Sequence, residues 1–281
     1  MEFLIEAIDL RKRYGEVIAL DGASLRVRRG VTALVGPNGA GKTTLIEGVL
    51  GLRRLDGGRV YLFGEEVRGE LSSRIAKRIG VVLEGFSLMD TLTVVENLEL
   101  AARLAGLRPS LRQILNALDK VGAKELARRL YGKLSTGQRR RVDIASALLG
   151  EPELLILDEP EAGLDPGARV ELVALFEGLA RGDGVSVLFS THDLSIASRA
   201  REAAVIVRGR VVEQGPPLEI ARKYGGTWRV RARFSDGGEK VVEVGDLRDL
   251  PRVLEGLADA VFINVESPDM FNAFRKLAGY V

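Results

Sequence analysis

The nine residues Gly36-Pro37-Asn38-Gly39-Ala40-Gly41-Lys42-Thr43-Thr44 have the types and spacing that a phosphate chain needs. They fit the pattern G-x-x-x-x-G-K-T, with Gly36, Gly41, Lys42 and Thr43 at its fixed places. Glycines let such a loop curl so that successive backbone N–H groups point inward at phosphate oxygens. Lys42 is expected to reach the β- and γ-phosphates, and the Thr43 hydroxyl to take a Mg²⁺ position. A second run, Leu154-Leu155-Ile156-Leu157-Asp158-Glu159, is an apolar strand that ends in two carboxylates. Beside a phosphate loop, Asp158 suits a Mg²⁺ partner, directly or through water. Glu159 is expected to polarise the attacking water, because a carboxylate there can accept its proton and hold it in line with the γ-phosphate.

These groups need strands and helices to hold them. Val31 to Val35 reads as a buried strand running into the loop, and Thr43 to Leu52 as a helix with Leu45, Ile46, Val49 and Leu50 on its apolar face. The positive end of that helix would add to the phosphate site. Glu153 to Asp158 and Val185 to Ser190 read as two further buried strands, the second leading into Thr191-His192-Asp193. Strands alternating with helices in this way predict an α/β fold with a parallel-type sheet.

Further landmarks follow in chain order, and together they resemble the ATPase subunit of the ABC (ATP-binding cassette) family over roughly residues 3–220. They are Ile79 to Glu84, Leu92 to Asn97, Leu134-Ser135-Thr136-Gly137-Gln138, Gly163-Leu164-Asp165-Pro166, and His192 after its strand. The resemblance implies a P-loop NTPase fold with an antiparallel β subdomain and a helical subdomain at about 86–150. It places Tyr14 where the family keeps an aromatic that stacks on adenine. Gly36, Pro37, Asn38, Gly39, Ala40, Gly41, Lys42, Thr43 and Thr44 become the phosphate cradle, and Ser135, Gly137, Gln138 and Asp165 further nucleotide contacts. Lys42, Glu159 and His192 become catalytic; His192, the only histidine in the chain, would contact the γ-phosphate and keep the water and Glu159 in register. Thr43, Glu84 and Asp158 become the Mg²⁺ set. Two positions depart from the family pattern: Glu84 replaces its Q-loop glutamine, and Thr136 replaces the signature's third-position glycine.

In the family the signature faces the phosphate loop of another subunit. One phosphate loop and one signature on this chain therefore imply a head-to-tail pair, a homodimer or a heterodimer with a similar cassette, that closes on two ATP molecules and reopens after hydrolysis. The partner pore would be a separate transmembrane permease, since no apolar run approaches the ~20 residues that span a bilayer. Phe86, in the loop Glu84 to Leu88, is the expected apolar contact for that permease. The expected location is cytoplasmic, peripheral on the membrane's inner face. A soluble ABC ATPase acting on an assembly, repair or translation machine is the alternative.

Composition adds bounds. The chain has 281 residues, 46% hydrophobic and 28% charged, ample for a large core. It has no cysteine, which excludes disulfides and cysteine-based metal sites. A formal net charge of +2 gives no reason to expect nucleic acid, and the basic clusters at 26–29, 139–141 and 229–233 read as solvated faces. The cassette is expected over 1–222, and the helix-like run Pro217 to Tyr224 ends at Gly225-Gly226. Residues 223–281 then form a small α+β extension. Trp228 to Phe234 and Lys240 to Val244 are strands around a Ser235 to Gly238 turn, Leu250 to Leu257 and Met270 to Leu277 are helices, and Ala260 to Val265 is a strand. That extension resembles the small tail of exporter-type cassettes and is short for the regulatory domains of some importer ATPases, so export is the expected direction.

Overall fold

The computed structural model describes residues 3–85 and 88–279, so the contact expected at Phe86 lies outside the described residues. The chain divides into two compact units, Met1–Gln214 and Gly215–Val281. In the first, β1 (Ile5–Tyr14) and β2 (Val17–Val27) form an antiparallel hairpin. β3 (Val31–Val35) enters another sheet and leads through the glycine-rich loop into α1 (Lys42–Val49). β4 (Gly57–Leu62) and β5 (Glu65–Val67) complete the antiparallel sheet in the order β2-β1-β4-β5. After α2 (Ser73–Ala76) and β6 (Ile79–Val82), three helices follow: α3 (Val94–Leu104), α4 (Leu111–Lys120) and α5 (Thr136–Leu148). The chain then runs through β7 (Leu154–Leu157), α6 (Pro166–Gly182), β8 (Ser186–Thr191), α7 (Leu194–Ala197), β9 (Glu202–Val207) and β10 (Arg210–Gly215).

The second sheet has the order β10-β9-β3-β8-β7-β6. Its β9–β3, β3–β8, β8–β7 and β7–β6 pairs are all parallel. Every residue of β3, β7 and β8 is buried, which is why these strands read as unbroken apolar runs rather than alternating ones. Parallel pairing has one decisive consequence. The loops after β3, β6, β7 and β8 all leave the sheet at the same end, where α/β sheets bind ligands. Strand and helix ends fall within a few residues of the sequence expectation, the largest shift being α1, which stops at Val49 rather than Leu52.

The three helices of the middle segment each start with a capping box: Thr93 with Glu96, Ser110 with Gln113, and Ser135 with Gln138. Each box satisfies two otherwise orphaned backbone donors. Asn97 is buried and uses its amide on the chain just before α3, accepting from Met89 N–H at 2.8 Å and donating to the Met89 carbonyl at 2.9 Å. The arginines at 139–141 differ from the expected solvated face. Arg139 donates to the Gly132 carbonyl at 2.8 Å and pairs with Asp90 at 3.2 Å; Arg141 donates to the Val121 carbonyl at 2.8 Å and to Glu171 at 2.7 Å. Carbonyls left free where a helix or turn ends need donors, and an arginine fork on an adjacent helix reaches several at once.

Asp143, on the buried face of α5, accepts the Tyr131 hydroxyl at 2.7 Å. Burial pushes its carboxyl up to about 6, and the tyrosine hydrogen bond only partly opposes this. A folded value above the unfolded one, 3.8, means that ionising Asp143 destabilises the native state above pH 6. That penalty is relieved as pH falls through the window from 6 toward 4. Asp143→Asn keeps an acceptor for Tyr131 without the charge. It is expected to raise stability at pH 8 by about 1–2 kcal/mol, with roughly half the gain left at pH 5 and little at pH 4. Thermal melts of the two proteins across that range check this; a gain that does not change with pH would refute the assignment.

The second unit contains α8 (Pro217–Tyr224), β11 (Trp228–Phe234), β12 (Glu239–Val244), α9 (Leu250–Glu255), β13 (Ala260–Glu266) and α10 (Met270–Ala278). Its strands form an antiparallel sheet in the order β12-β11-β13. β11 alternates strictly: Val230 and Ala232 point into a small core with Val244 and Leu257, while Arg229, Arg231 and Arg233 point out. Those arginines meet Glu243 at 3.5 Å, Glu266 at 3.8 Å and Glu239 at 2.9 Å. Cross-strand pairing of opposite charges thus uses the basic run expected at 229–233 as a solvated face.

Candidate functional site

At the end of β3, Gly36 donates its N–H to the Thr191 carbonyl at 3.1 Å. A Cβ at Gly36 would stand 2.4 Å from the Ile206 carbonyl oxygen, so only glycine allows this close approach. Gly39 and Gly41 both have positive φ, +76° and +105°. Gly41 is also the N-cap of α1 and provides no side-chain hydrogen bond to it. The first-turn N–H groups of α1 are therefore left for a ligand, and the helix dipole favours an anion there. Lys42 folds back across the loop, nearly buried, and donates to the Gly36 and Pro37 carbonyls at 2.9 and 3.2 Å. Asn38, Gly39 and Thr43 are exposed, Pro37 and Thr44 half-buried, and Ala40 buried.

The turn after β7 closes on this loop. Asp158 is fully buried; one carboxylate oxygen accepts the Ser190 hydroxyl, and the other has no hydrogen-bond partner among the described residues. Glu159 has φ +45°, a left-handed conformation that costs a non-glycine residue of order 1 kcal/mol or more. Three contacts hold it there: its N–H donates to Ser190 Oγ at 2.9 Å, Lys42 Nζ lies 3.1 Å from Oε1, and His192 Nδ1 lies 3.1 Å from Oε2. The predicted catalytic residues Lys42, Glu159 and His192 thus form one contact chain, with the His192 ring half exposed above it.

Glu84 sits in the turn after β6, exposed. The register Val82↔Leu157 puts Glu84 and Glu159 equally far past a paired position, at the same end of the sheet. An oxygen set of Thr43, Asp158 and Glu84 fits a hard divalent cation, and the unpartnered buried oxygen of Asp158 is the group that such an ion would satisfy. Tyr14 ends β1 as an exposed residue, and Lys12 and Arg53 lie over its ring at 5.3 and 5.8 Å.

The signature residues lie elsewhere. Ser135 Oγ accepts Gln138 N–H at 3.3 Å, and Gln138 Oε1 accepts Ser135 N–H at 3.1 Å. Ser135, Gly137, Gln138 and Asp165 line one groove of about 420 Å³, and no residue of 36–44 contributes to it. Asp165 also caps α6, accepting Ala168 N–H at 3.0 Å. Thr136 fits because Gly163, opposite its methyl, has no side chain: a Cβ there would lie 3.3 Å away. The predicted nucleotide contacts therefore fall into two groups on this chain, one around Lys42 and one around Ser135. One residue that the sequence reading passed over lies beside Glu159 and His192. Glu161 is 1% exposed, accepts the Thr191 hydroxyl, and offers an oxygen within 4.8 Å of ligand atoms of both Glu159 and His192.

A sequence model of the family described as ABC transporter matches residues 20–162, half of the chain. The chain belongs to the ABC transporter family. Among ABC proteins, it is 40% identical to the methionine import ATP-binding protein MetN of Mesorhizobium japonicum, over 77% of this chain and 61% of that protein. It therefore spans about three-fifths of the length of that relative. It is 39% identical to the daunorubicin resistance ATP-binding protein DrrA3 of Streptomyces coeruleorubidus, over 76% of this chain and 69% of that protein. Solved ABC cassettes have the same fold. One is cbiO1 of Clostridium perfringens, part of the ABC transporter complex cbiONQ, with TM-score 0.71, 28% identity and coverage of 78% of this chain and 91% of that one. Another is the bacterial ABC transporter cassette MJ0796 in a dimeric structure, with TM-score 0.66, 26% identity and coverage of 75% and 98%.

Proposed function

We propose that this chain is the ATP-binding and ATP-hydrolysing subunit of a multi-subunit membrane transporter, driven by closure and reopening of a cassette dimer. The observation that carries the reading is the Lys42–Glu159–His192 contact chain at the mouth of a glycine cradle. The cradle's N–H groups and Lys42 bind the phosphates. Glu159 holds the attacking water and accepts its proton, and His192 keeps Glu159 and the γ-phosphate aligned. Thr43, Asp158 and Glu84 would hold Mg²⁺, which would neutralise charge on the phosphates when bound. Tyr14 stacks on the base.

The separation of Ser135, Gly137, Gln138 and Asp165 from the phosphate loop supports a second cassette. Each of two sites then takes its cradle from one subunit and its signature from the other. Among the described residues no helix is long and apolar enough to cross a membrane; the pore in this reading belongs to a separate permease, with this chain bound peripherally at the cytoplasmic face. Export is the proposed direction, supported by the small three-stranded second unit. Import is the second reading, favoured by the methionine-import relatives. The test is to load tagged Glu159→Gln protein with Mg-ATP in host membranes, solubilise gently and identify what co-purifies. A multi-span membrane protein at matching stoichiometry is expected. Recovery from the soluble fraction alone, with a ribosomal, repair or assembly partner, would overturn the transport reading.

A further inference from the structure

Glu161 lies three residues past Asp158, in the turn that carries the chain from β7 toward α6. A carboxyl this deeply buried is expensive unless its oxygens are satisfied. One oxygen of Glu161 accepts the Thr191 hydroxyl, while the other is buried without a hydrogen-bond partner among the described residues. Burial holds the carboxyl above the usual glutamate range, and the neighbouring Glu159 pushes it the same way.

Thr191, the last residue of β8 and the one before His192, is gripped on every polar atom that it can offer as an acceptor. Its carbonyl accepts Gly36 N–H of the phosphate loop at 3.1 Å, and its hydroxyl accepts Asp193 N–H at 2.9 Å while donating to Glu161. From there the contacts close a ring. The Asp193 carboxylate takes Arg169 at 2.8 Å, Arg169 Nε donates to the Leu164 carbonyl at 3.0 Å, and Leu164 N–H donates to the Glu161 carbonyl at 3.0 Å. The ring joins the strand end bearing His192 to the loop bearing Asp165.

We propose, on the ATPase reading above, that Glu161 is a positioning residue for hydrolysis. Through Thr191 it fixes where His192 stands relative to Glu159, and it ties that arrangement to the loop of Asp165. Glu161 makes no hydrogen bond to the cradle residues that hold the phosphates, so its loss is a loss of alignment and not of nucleotide binding. Misplacement of a catalytic group by about 1 Å can cost on the order of 10²-fold in rate.

The experiment is steady-state ATP hydrolysis by the full chain carrying Glu161→Ala, Glu161→Gln, Thr191→Val or Thr191→Ser, with a Glu159→Gln control. Glu161→Ala is expected to lower kcat by about 10–30-fold with KM for ATP within about twofold of wild type. Glu161→Gln, which keeps an acceptor for the Thr191 hydroxyl, is expected to recover kcat to within about threefold. Thr191→Val should match Glu161→Ala, Thr191→Ser should recover, and the double variant Glu161→Ala/Thr191→Val should be no worse than either single change. If Glu161→Ala does not fold, the Thr191 pair decides the matter through the same kcat-against-KM split. Equal damage by Gln and Ala, a change confined to KM, or additive losses in the double variant would overturn the inference. Wild type no more active than Glu159→Gln would instead sink the ATPase reading itself.

Discussion

Glu159→Gln protein is expected to hydrolyse ATP at least about 100-fold more slowly than wild type while binding Mg-ATP as tightly or more so. The amide is nearly isosteric and can still accept from Lys42, now 3.1 Å from Oε1, and keep a contact with His192. What it cannot do is take a proton from water. Binding and chemistry should therefore separate cleanly in this one substitution. On the proposed cassette pair, each composite site would need ATP intact to hold the two subunits together, so blocking turnover should also accumulate the closed pair. Light scattering in Mg-ATP should then give twice the monomer mass for the variant. A protein that stays monomeric under those conditions contradicts the proposed cassette pair, and one that retains a tenth or more of its activity contradicts the assignment of Glu159.

Gly41→Ala is the second substitution with a large expected effect, and it acts on structure before chemistry. A Cβ at this position would stand 2.4 Å from the Ala19 carbonyl oxygen and 3.2 Å from a methyl of Leu20, both on β2. The carbonyl cannot withdraw without moving a strand paired along its length with β1. The φ of +105° adds its own penalty for any side chain. Together these cost about 3 kcal/mol, a drop of roughly 6–12 °C in Tm for a unit of this size. The loop must also shift away from β2, so affinity for a fluorescent ATP analogue should fall at least about tenfold. Gly39→Ala provides the comparison. Its φ of +76° is also left-handed, but nothing lies within 4 Å of the added Cβ. Its cost should be about 1 kcal/mol. Equal melting shifts for the two variants would mean that the contact with Ala19 has no weight.

The phosphate loop and the acidic turn were legible from sequence because their chemistry is local. Gly36, Gly41, Lys42 and Thr43 act within eight residues of one another, and Asp158-Glu159 announces itself at the end of an unbroken apolar strand. The second unit was legible for a different reason: β11 alternates strictly and a Ser-Asp-Gly-Gly turn follows it. Glu161 was not legible. Its meaning depends on Thr191, thirty residues away, and on the β7–β8 register that brings Leu157 beside Phe189. Nothing in the type or spacing of Pro160-Glu161-Ala162 distinguishes a buried acid from a solvated one. The arginines at 139–141 were misjudged for a related reason. A basic triplet looks like surface, and only the folded helical segment shows the Gly132 and Val121 carbonyls that two of them serve.

The capping box at the head of α5 has a bearing on how a second subunit could be read. A serine hydroxyl has two roles to give: lone pairs that accept and a single proton that it can donate. Starting the helix uses the first, since Ser135 Oγ accepts from Gln138 N–H. The hydroxyl proton has no acceptor among the described residues, so on the proposed cassette pair it would be left for a phosphate oxygen. Folding of the helix and recognition of an anion in trans thus draw on opposite faculties of one atom and do not compete. A signature built this way is complete before any partner arrives, so docking need only bring the charge to it.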